Sequence, residues 1–258
     1  LMLWDLWRHE QYVPETTRPE YMREFREMLE LAANAACRFV NASEGWPRRA
    51  HEDDNPVPSA TLHGAAALLA GLAAASDCGR RWGVRPQLVH KWKETAISLR
   101  EGMLRRIEDE RTLKRGGWRG IQWSLFPAPL FDKLDDSRAG KLIDRLAKDV
   151  QEKVTKQRRG FAYLGEQTFI LAFASAVARR DLSLAKEALS LLSGEVPIPG
   201  SDCYGEVTLW IDLPGQQTPV AQQRTSIPHL WTGITTYLAV EACYRPERLT
   251  SQIPPIPE

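Results

Sequence analysis

Apolar side chains recur at helical spacing along most of this chain. Pro19 suits the first turn of a helix, and the apolar positions after it follow at intervals of three and four residues: Tyr21, Phe25, Met28, Leu29, Ala32, Ala36, Phe39 and Val40. A second stretch that begins at Pro86 has one apolar stripe and an opposite face of Lys, Arg and Glu. Both patterns predict amphipathic α-helices with one buried face.

Two further segments, 62–77 and 166–178, are apolar on all sides, which is typical of helices buried within a protein. Gly79 is expected to end the first of them. Amphipathic helices are predicted over 137–156 and 182–192, and a last helix over 229–244. This alternation of inner and outer helices predicts an all-α fold of antiparallel pairs in two layers, either a solenoid or a closed (α/α) toroid. Because the chain lacks a fixed repeat of about 34 or 40 residues, the toroid is favoured.

Some segments depart from the helical pattern. Val207 to Ile211 is β-prone and predicts a small hairpin on one rim of the toroid, and Gly116 to Asp132 is expected to be irregular. We expect one helical domain over residues 1–245, followed by a proline-rich tail over 246–258. The start, Leu1 to Trp4, reads like the middle of a helix, so we expect the C-terminal part of a longer catalytic domain.

Composition narrows the classes of function. The 34 basic and 33 acidic residues leave a net charge of +1, so no strong field attracts nucleic acid. The four cysteines lack C-x-x-C spacing, so neither a zinc site nor a disulfide framework is indicated, and we expect reduced thiols in a cytoplasmic protein. We also expect no metal and no cofactor. No run of about 18 apolar residues occurs, so no membrane span is expected. The oligomeric state stays open.

The loop after the first long helix combines an aromatic ring with many charges. An indole face stacks on a pyranose ring, while carboxylates and guanidinium groups bind hydroxyls. Hydrolysis of a glycosidic bond needs two carboxylates. The candidate acids here are Glu44 and Glu52, and the candidate substrate contacts are Trp46, Arg48, His51 and Asp53. The alternative is a solvated polar loop.

Two later clusters have a similar composition. Tyr163 and Glu166 are candidate substrate contacts, although Glu166 also suits a helix N-terminus, where the dipole stabilises an acid. Near the last helix, the candidate acids are Glu206 and Asp212, and the candidate stacking residues are Trp210 and Trp231. Alternatively, Trp231 belongs to the core. Because the chain has no phosphate loop, no H-E-x-x-H and no G-x-S-x-G, a Ser or Cys nucleophile is unsupported.

Four segments resemble the glucoamylase and glucodextranase type of glycoside hydrolase: Trp7-Arg8-His9, the loop around Trp46, the helix from Leu62 to Ser76, and Ile227 to Gly233. The last segment looks like the proline-leading helix that closes the six-hairpin (α/α)6 toroid of that family. The resemblance implies the C-terminal two-thirds of such a toroid. It also implies inverting hydrolysis of α-glucosidic bonds from a non-reducing end, with one Glu as general acid and another as general base.

The chain departs from the family pattern at two places. The family acid commonly follows the loop Trp directly, where this chain has Pro47, and the family base often follows Leu-Pro, where this chain has Gly215. Neither residue transfers a proton. Either the acid is Glu44 or Glu52 and the base is Glu206 or Asp212, or the domain binds glycans without cutting them. A helical interaction scaffold with no carbohydrate role is the third hypothesis.

Overall fold

A computed structural model describes most of the chain, and every structural statement below concerns the described residues. These are 2–51, 57–107, 117–130, 140–141, 144–145, 147–148, 151, 160–162, 164–194, 207–211, 214–215, 220–224 and 230–257. They are mostly helical, which confirms the predicted helical character. The chain divides into two compact units, Leu1–Asp132 with Ser251–Glu258, and Lys133–Thr250.

The first unit is a group of helices around one apolar helix, with a short β-hairpin. Its elements are α1 (Met2–Glu10), α2 (Arg18–Phe39), β1 (Val40–Asn41), β2 (Trp46–Pro47), α3 (Leu62–Arg81), α4 (Pro86–Ile107) and α5 (Gly117–Leu125). Helix α3 contacts α1, α2, α4 and α5. Most of its alanines and leucines are buried, with Ala67 and Leu68 half-buried, in agreement with the prediction of a buried helix for a segment that is apolar all round.

Helix α3 begins and ends by local chemistry. Thr61 has extended backbone, and its Oγ1 accepts a hydrogen bond of 3.0 Å from the amide of Gly64, which is an N-cap. The prediction that Gly79 ends this helix is wrong, because α3 continues to Arg81. A Cβ at Gly79 would lie 2.8 Å from Cζ3 of Trp92, so the glycine allows α4 to approach closely. The chain leaves the helix at Gly83, where φ is +66°.

Helix α3 also meets the length and composition of a membrane span. Its most apolar window has a mean hydropathy of 1.2, yet 72% of that window is buried inside the protein. Because the core helix of a globular protein meets the same criteria, this is weak evidence for a span. The absence of a membrane-spanning segment therefore stays a prediction.

Helix α5 corrects the expectation that Gly116 to Asp132 is irregular. Residues 117–125 are helical, and Ile121 and Leu125 are buried. The helix packs on α3, so tertiary contact decides a segment whose sequence lacks a long apolar period. Among the described residues of this segment, the irregular ones are 126–130.

The second unit contains helices and an antiparallel sheet. Its elements are β3 (Gly160–Ala162), α6 (Leu164–Val177), α7 (Ser183–Gly194), β4 (Val207–Ile211), β5 (Val220–Arg224), α8 (Leu230–Tyr244) and α9 (Pro246–Thr250). The strands lie in the order β3-β4-β5, and β4 pairs with β5 as the predicted hairpin. Helix α6 packs against α8 and α7. Of the helix predicted over 137–156, the described residues are helical.

Candidate functional site

A cavity of about 740 Å³ lies in the first unit, beside the β1–β2 hairpin. Its volume falls within the range of small-molecule sites, roughly 300–1,000 Å³. Its walls come from the hairpin and from the segment before α3: Asn41, Glu44, Trp46, Pro47, Arg48, Arg49, Val57, Pro58, Ser59 and Ala60. We call it the Trp46 cavity. Three of the six site residues predicted in this loop, Glu44, Trp46 and Arg48, line it.

Backbone hydrogen bonds hold the walls of the Trp46 cavity. In the hairpin, Asn41 lies opposite Trp46, and the amide of Arg48 donates to the Phe39 carbonyl at 2.7 Å. Ala50 and Ser59 exchange two backbone hydrogen bonds of 2.9 and 2.8 Å. The lining residues of the hairpin and Ser59 are therefore positioned by main-chain pairing and do not depend on side-chain packing alone.

Two glycines seat the hairpin loop on α4. Gly45 has φ +56°, a left-handed conformation that favours glycine. A Cβ built on Gly102 of α4 would lie only 1.8 Å from the carbonyl oxygen of Gly45, and one on Gly45 would lie 2.1 Å from that of Ser98. The main chains of loop and helix therefore touch, which leaves no room for a side chain at either glycine.

Arginines of α4 bind the same loop. The guanidinium of Arg106 lies 4.3 Å from the ring centroid of Trp46, within the distance of a cation–π contact. It also lies 3.8 Å from the carboxylate of Glu44 and donates to the Glu44 carbonyl at 3.5 Å. Arg105 donates to that carbonyl at 3.3 Å. These contacts fix the indole ring, which is partly exposed and lines the cavity.

The charges on the cavity wall are unevenly distributed. Glu44 is the one carboxylate among the described lining residues, and its side chain is 57% exposed although it pairs with Arg106. Arg48 and Arg49 are exposed and make no ion pair with any described residue. Pro47 is buried in β2. The described wall therefore offers one paired acid and two guanidinium groups that no described carboxylate pairs with.

Of the remaining site residues predicted in this loop, one is described and two are not. His51 is exposed and directly follows the paired residue Ala50. Glu52 and Asp53 lie outside the described residues. The separation between two carboxylates, which would test an inverting mechanism, therefore stays a prediction at this cavity.

The second predicted cluster contains a buried carboxylate. Glu166, in the first turn of α6, is 4% exposed, and its Oε1 accepts a hydrogen bond of 2.9 Å from Nε1 of Trp231 in α8. The contact joins two packed helices, since Gly165 also lies against α8, where its Cβ would be 2.8 Å from the hydroxyl of Thr235. A first-turn position suits an acid through the helix dipole as well. A substrate contact through Glu166 or Trp231 stays a prediction.

Of the other site residues predicted in this unit, Trp210 alone is among the described ones. Trp210 lies in β4, with its backbone opposite Gly160 and Ala221. Tyr163, Glu206 and Asp212 lie outside the described residues. Gly215, which stands where the resemblance expects a base, has φ +84°, so a side chain there would be strained.

Trp7, which contributes to the family resemblance, belongs to a network of charged side chains between α1 and α3. We call this network, formed with Glu10, Asp77 and Arg81, the charged joint. Its Nε1 donates to Asp77 of α3 at 2.9 Å. Arg81 pairs with the same aspartate and, at 2.6 Å, with Glu10, which is 4% exposed. Burial alone would raise the pKa of Asp77, but the hydrogen bonds from Trp7, Arg80 and Arg81 outweigh it, so the pKa lies below its ordinary value. This network joins α1 to α3.

The thiols and metal ligands give no alternative chemistry in the described part of the chain. Cys37, Cys78 and Cys243 are free and buried, and burial raises the pKa of each, which disfavours a reactive thiolate. Cys203 lies outside the described residues. No cluster of three metal-ligating side chains occurs among the residues described.

Several residues at the Trp46 cavity were not among the site residues predicted from the sequence. Arg106 comes from a helix 60 positions after Trp46, on a face that the pattern assigns to solvent. Asn41 and Ser59 carry no distinctive motif. Arg49 alone had a local signal, because it follows Arg48 in the charged loop.

The chain matches no protein-family model, no curated protein and no solved structure. We therefore infer its function from the side chains that the fold brings together.

Proposed function

We propose that this chain is a glycoside hydrolase-like domain that binds α-glucan-type oligosaccharides in the Trp46 cavity. The observation that carries the proposal is a partly exposed indole on the wall of a cavity whose other polar side chains include Asn41, Glu44, Arg48 and Arg49. An indole face packs against the C–H groups of a sugar ring, and amide, carboxylate and guanidinium groups bind its hydroxyls.

Rigidity of the wall supports the same proposal. Arg106 contacts the Trp46 ring, and backbone pairing with Ala50 holds the lining residue Ser59. A ligand that binds a preorganised wall loses less free energy to ordering of the protein. Weak, polar ligands such as sugars benefit most from this.

For the fold, we propose that the helix pairs belong to a partial (α/α) toroid of the six-hairpin type. The support is the pairing of the buried helix α3 with the amphipathic α4 across the short connection 82–85. In the second unit, the apolar α6 packs against α7 in the same way. Each unit therefore contains at least one inner helix with an outer partner.

Calorimetric titration with the methyl glycoside of maltotetraose tests the binding proposal. Trp46→Ala is expected to weaken binding about tenfold, because a buried aromatic anchor contributes at least about 1–2 kcal/mol. Tyr237→Ala is the matched control, since Tyr237 is a 59% exposed aromatic of the second unit and should leave affinity unchanged. Circular dichroism checks that both variants fold. Equal affinity for wild type and Trp46→Ala would refute the proposal.

A second candidate is hydrolysis with inversion, which the position of Glu44 on the cavity wall favours. The reaction needs a general acid and a general base about 6.5–9.5 Å apart. Glu44 or Glu52 would protonate the leaving oxygen as general acid, and the general base stays a prediction from the sequence. Release of reducing sugar by wild type, and its loss in Glu44→Gln with binding retained, is the expected result. Binding without any release of reducing sugar over a long incubation would refute hydrolysis and leave glycan binding as the function.

A further inference from the structure

The Trp46 cavity carries more positive than negative charge in its described part. Arg48 and Arg49 line it, and Arg105 and Arg106 of α4 donate to the main-chain carbonyl of the lining residue Glu44. Glu44 supplies the one described carboxylate of the wall. The described wall therefore carries two guanidinium groups and one carboxylate.

The pairing of these charges decides which of them are available to a ligand. Glu44 is paired with Arg106 at 3.8 Å, and Arg106 also covers the Trp46 ring. Arg48 and Arg49 have no carboxylate partner among the described residues, and both are exposed. Within the described part of the chain, they are the guanidinium groups of the wall that no ion pair occupies.

The backbone of these two arginines is fixed on both sides. Before them, the hairpin is closed by the hydrogen bond from the Arg48 amide to Phe39, and after them Ala50 pairs with Ser59. Binding therefore has to order only the side chains. A guanidinium presents two parallel N–H donors that match the two oxygens of a carboxylate or a sulfate, which a neutral hydroxyl does not offer.

We propose that the preferred ligand of the Trp46 cavity is an acidic oligosaccharide, whose carboxylate or sulfate group binds Arg48 and Arg49 while a sugar ring packs against Trp46. This inference rests on the proposed glycan binding and names the class of glycan. The preferred ligand is then a negatively charged glucan and not a neutral one.

Two ligands of the same length and linkage test this directly. One is the methyl glycoside of maltotetraose, and the other is the same molecule with each C6 hydroxyl oxidised to a carboxylate. At low ionic strength the oxidised form is expected to bind about tenfold more tightly, because each exposed ion pair contributes modestly. The preference should shrink as salt is added, since exposed charges are screened. A C6-sulfated form shows whether the group that the site favours is a carboxylate or a sulfate.

The variant Arg48→Gln/Arg49→Gln should lose the preference for the acidic forms, so that the ratio of its affinities for the acidic and the neutral ligand falls to about one. The control Arg23→Gln/Arg26→Gln removes the same charge from α2, at a distance of about 20 Å or more along the helix from the hairpin. It should keep the preference. If the control loses it equally, the preference reflects net charge and the proposed contact is wrong.

Other outcomes separate this inference from the proposed function. The sequence continues after His51 with Glu52, Asp53 and Asp54, outside the described residues. If these acids neutralise the arginines, wild type will bind neutral and acidic forms equally, which overturns the inference and leaves glycan binding intact. Absence of binding to all three sugars would overturn the proposed function and this inference with it.

Discussion

Replacing Gly102 by alanine should disturb the seat of the hairpin loop on α4. At an uncrowded position inside a helix, alanine stabilises the helix relative to glycine by about 0.5–1 kcal/mol. At this position, however, the new Cβ would lie 1.8 Å from the Gly45 carbonyl oxygen and 2.6 Å from its carbon. Since a C–H···O contact needs about 3.3 Å, the loop has to move by about 1.5 Å.

That movement weakens the bonds that hold the loop. Ser98 donates to the Ala42 carbonyl at 3.4 Å, and Arg105 and Arg106 donate to that of Glu44. Overpacking of this kind typically costs about 1–3 kcal/mol, which exceeds the gain in helix propensity. We therefore expect Gly102→Ala to lower the free energy of unfolding by about 1–2 kcal/mol and the Tm by about 2–8 °C.

Gly233→Ala provides the matched control, because Gly233 also lies within a helix but has no heavy atom within 4 Å of the position of a Cβ. It should raise the free energy of unfolding by about 0.5–1 kcal/mol. Thermal unfolding followed by calorimetry and urea titration measures both variants. If Gly102→Ala is as stabilising as Gly233→Ala, the close approach of loop and helix is wrong.

Three further predictions concern the charged joint and the second unit. Arg81→Met should lower the free energy of unfolding by about 2–3 kcal/mol, because it leaves the buried Glu10 without its ion pair. Arg80→Met removes a side chain that is itself 73% exposed and should change that free energy by less than about 1 kcal/mol; equal effects would contradict this. The pKa of Asp77 is depressed in the folded state, so its contribution to stability is present above the ordinary value of 3.8 and is lost as the pH falls through the lower folded value. Urea titrations between pH 6 and about 2 should therefore show a smaller decline for Asp77→Asn than for wild type, and parallel curves would refute the assignment. Trp231→Phe should cost about 1–3 kcal/mol in chemical denaturation, because a buried carboxylate loses a donor, and an unchanged midpoint would show that the bond contributes nothing.

Much of the helical arrangement follows from local pattern. The apolar period after Pro19 predicts α2, and the composition of 62–77 predicts a buried helix. Gly79 shows where local pattern is insufficient, because a glycine that stops a helix and a glycine that lets Trp92 approach look identical in sequence. Likewise, the helical state of α5 depends on its packing against α3.

Only the part of the candidate site that lies within one loop could be predicted from the sequence. Trp46 and Arg48 belong to one loop whose composition indicates sugar binding, and the structure places both on a cavity wall. The contact with Arg106 depends on how α4 packs beside the hairpin, which no spacing within the loop encodes. Glu166 looks like a solvated helix start in sequence, and only its burial beside Trp231 shows otherwise.

Ala50 and Ser59 are held against each other by two backbone hydrogen bonds. The chain therefore enters and leaves the segment between them at two fixed residues, of which Ser59 lines the Trp46 cavity. Loop-closure entropy rises only slowly with length, by about 0.6 kcal/mol for each doubling. Insertions between these two residues should therefore cost little stability, which makes this segment the natural position for grafting or randomising a recognition loop on this domain.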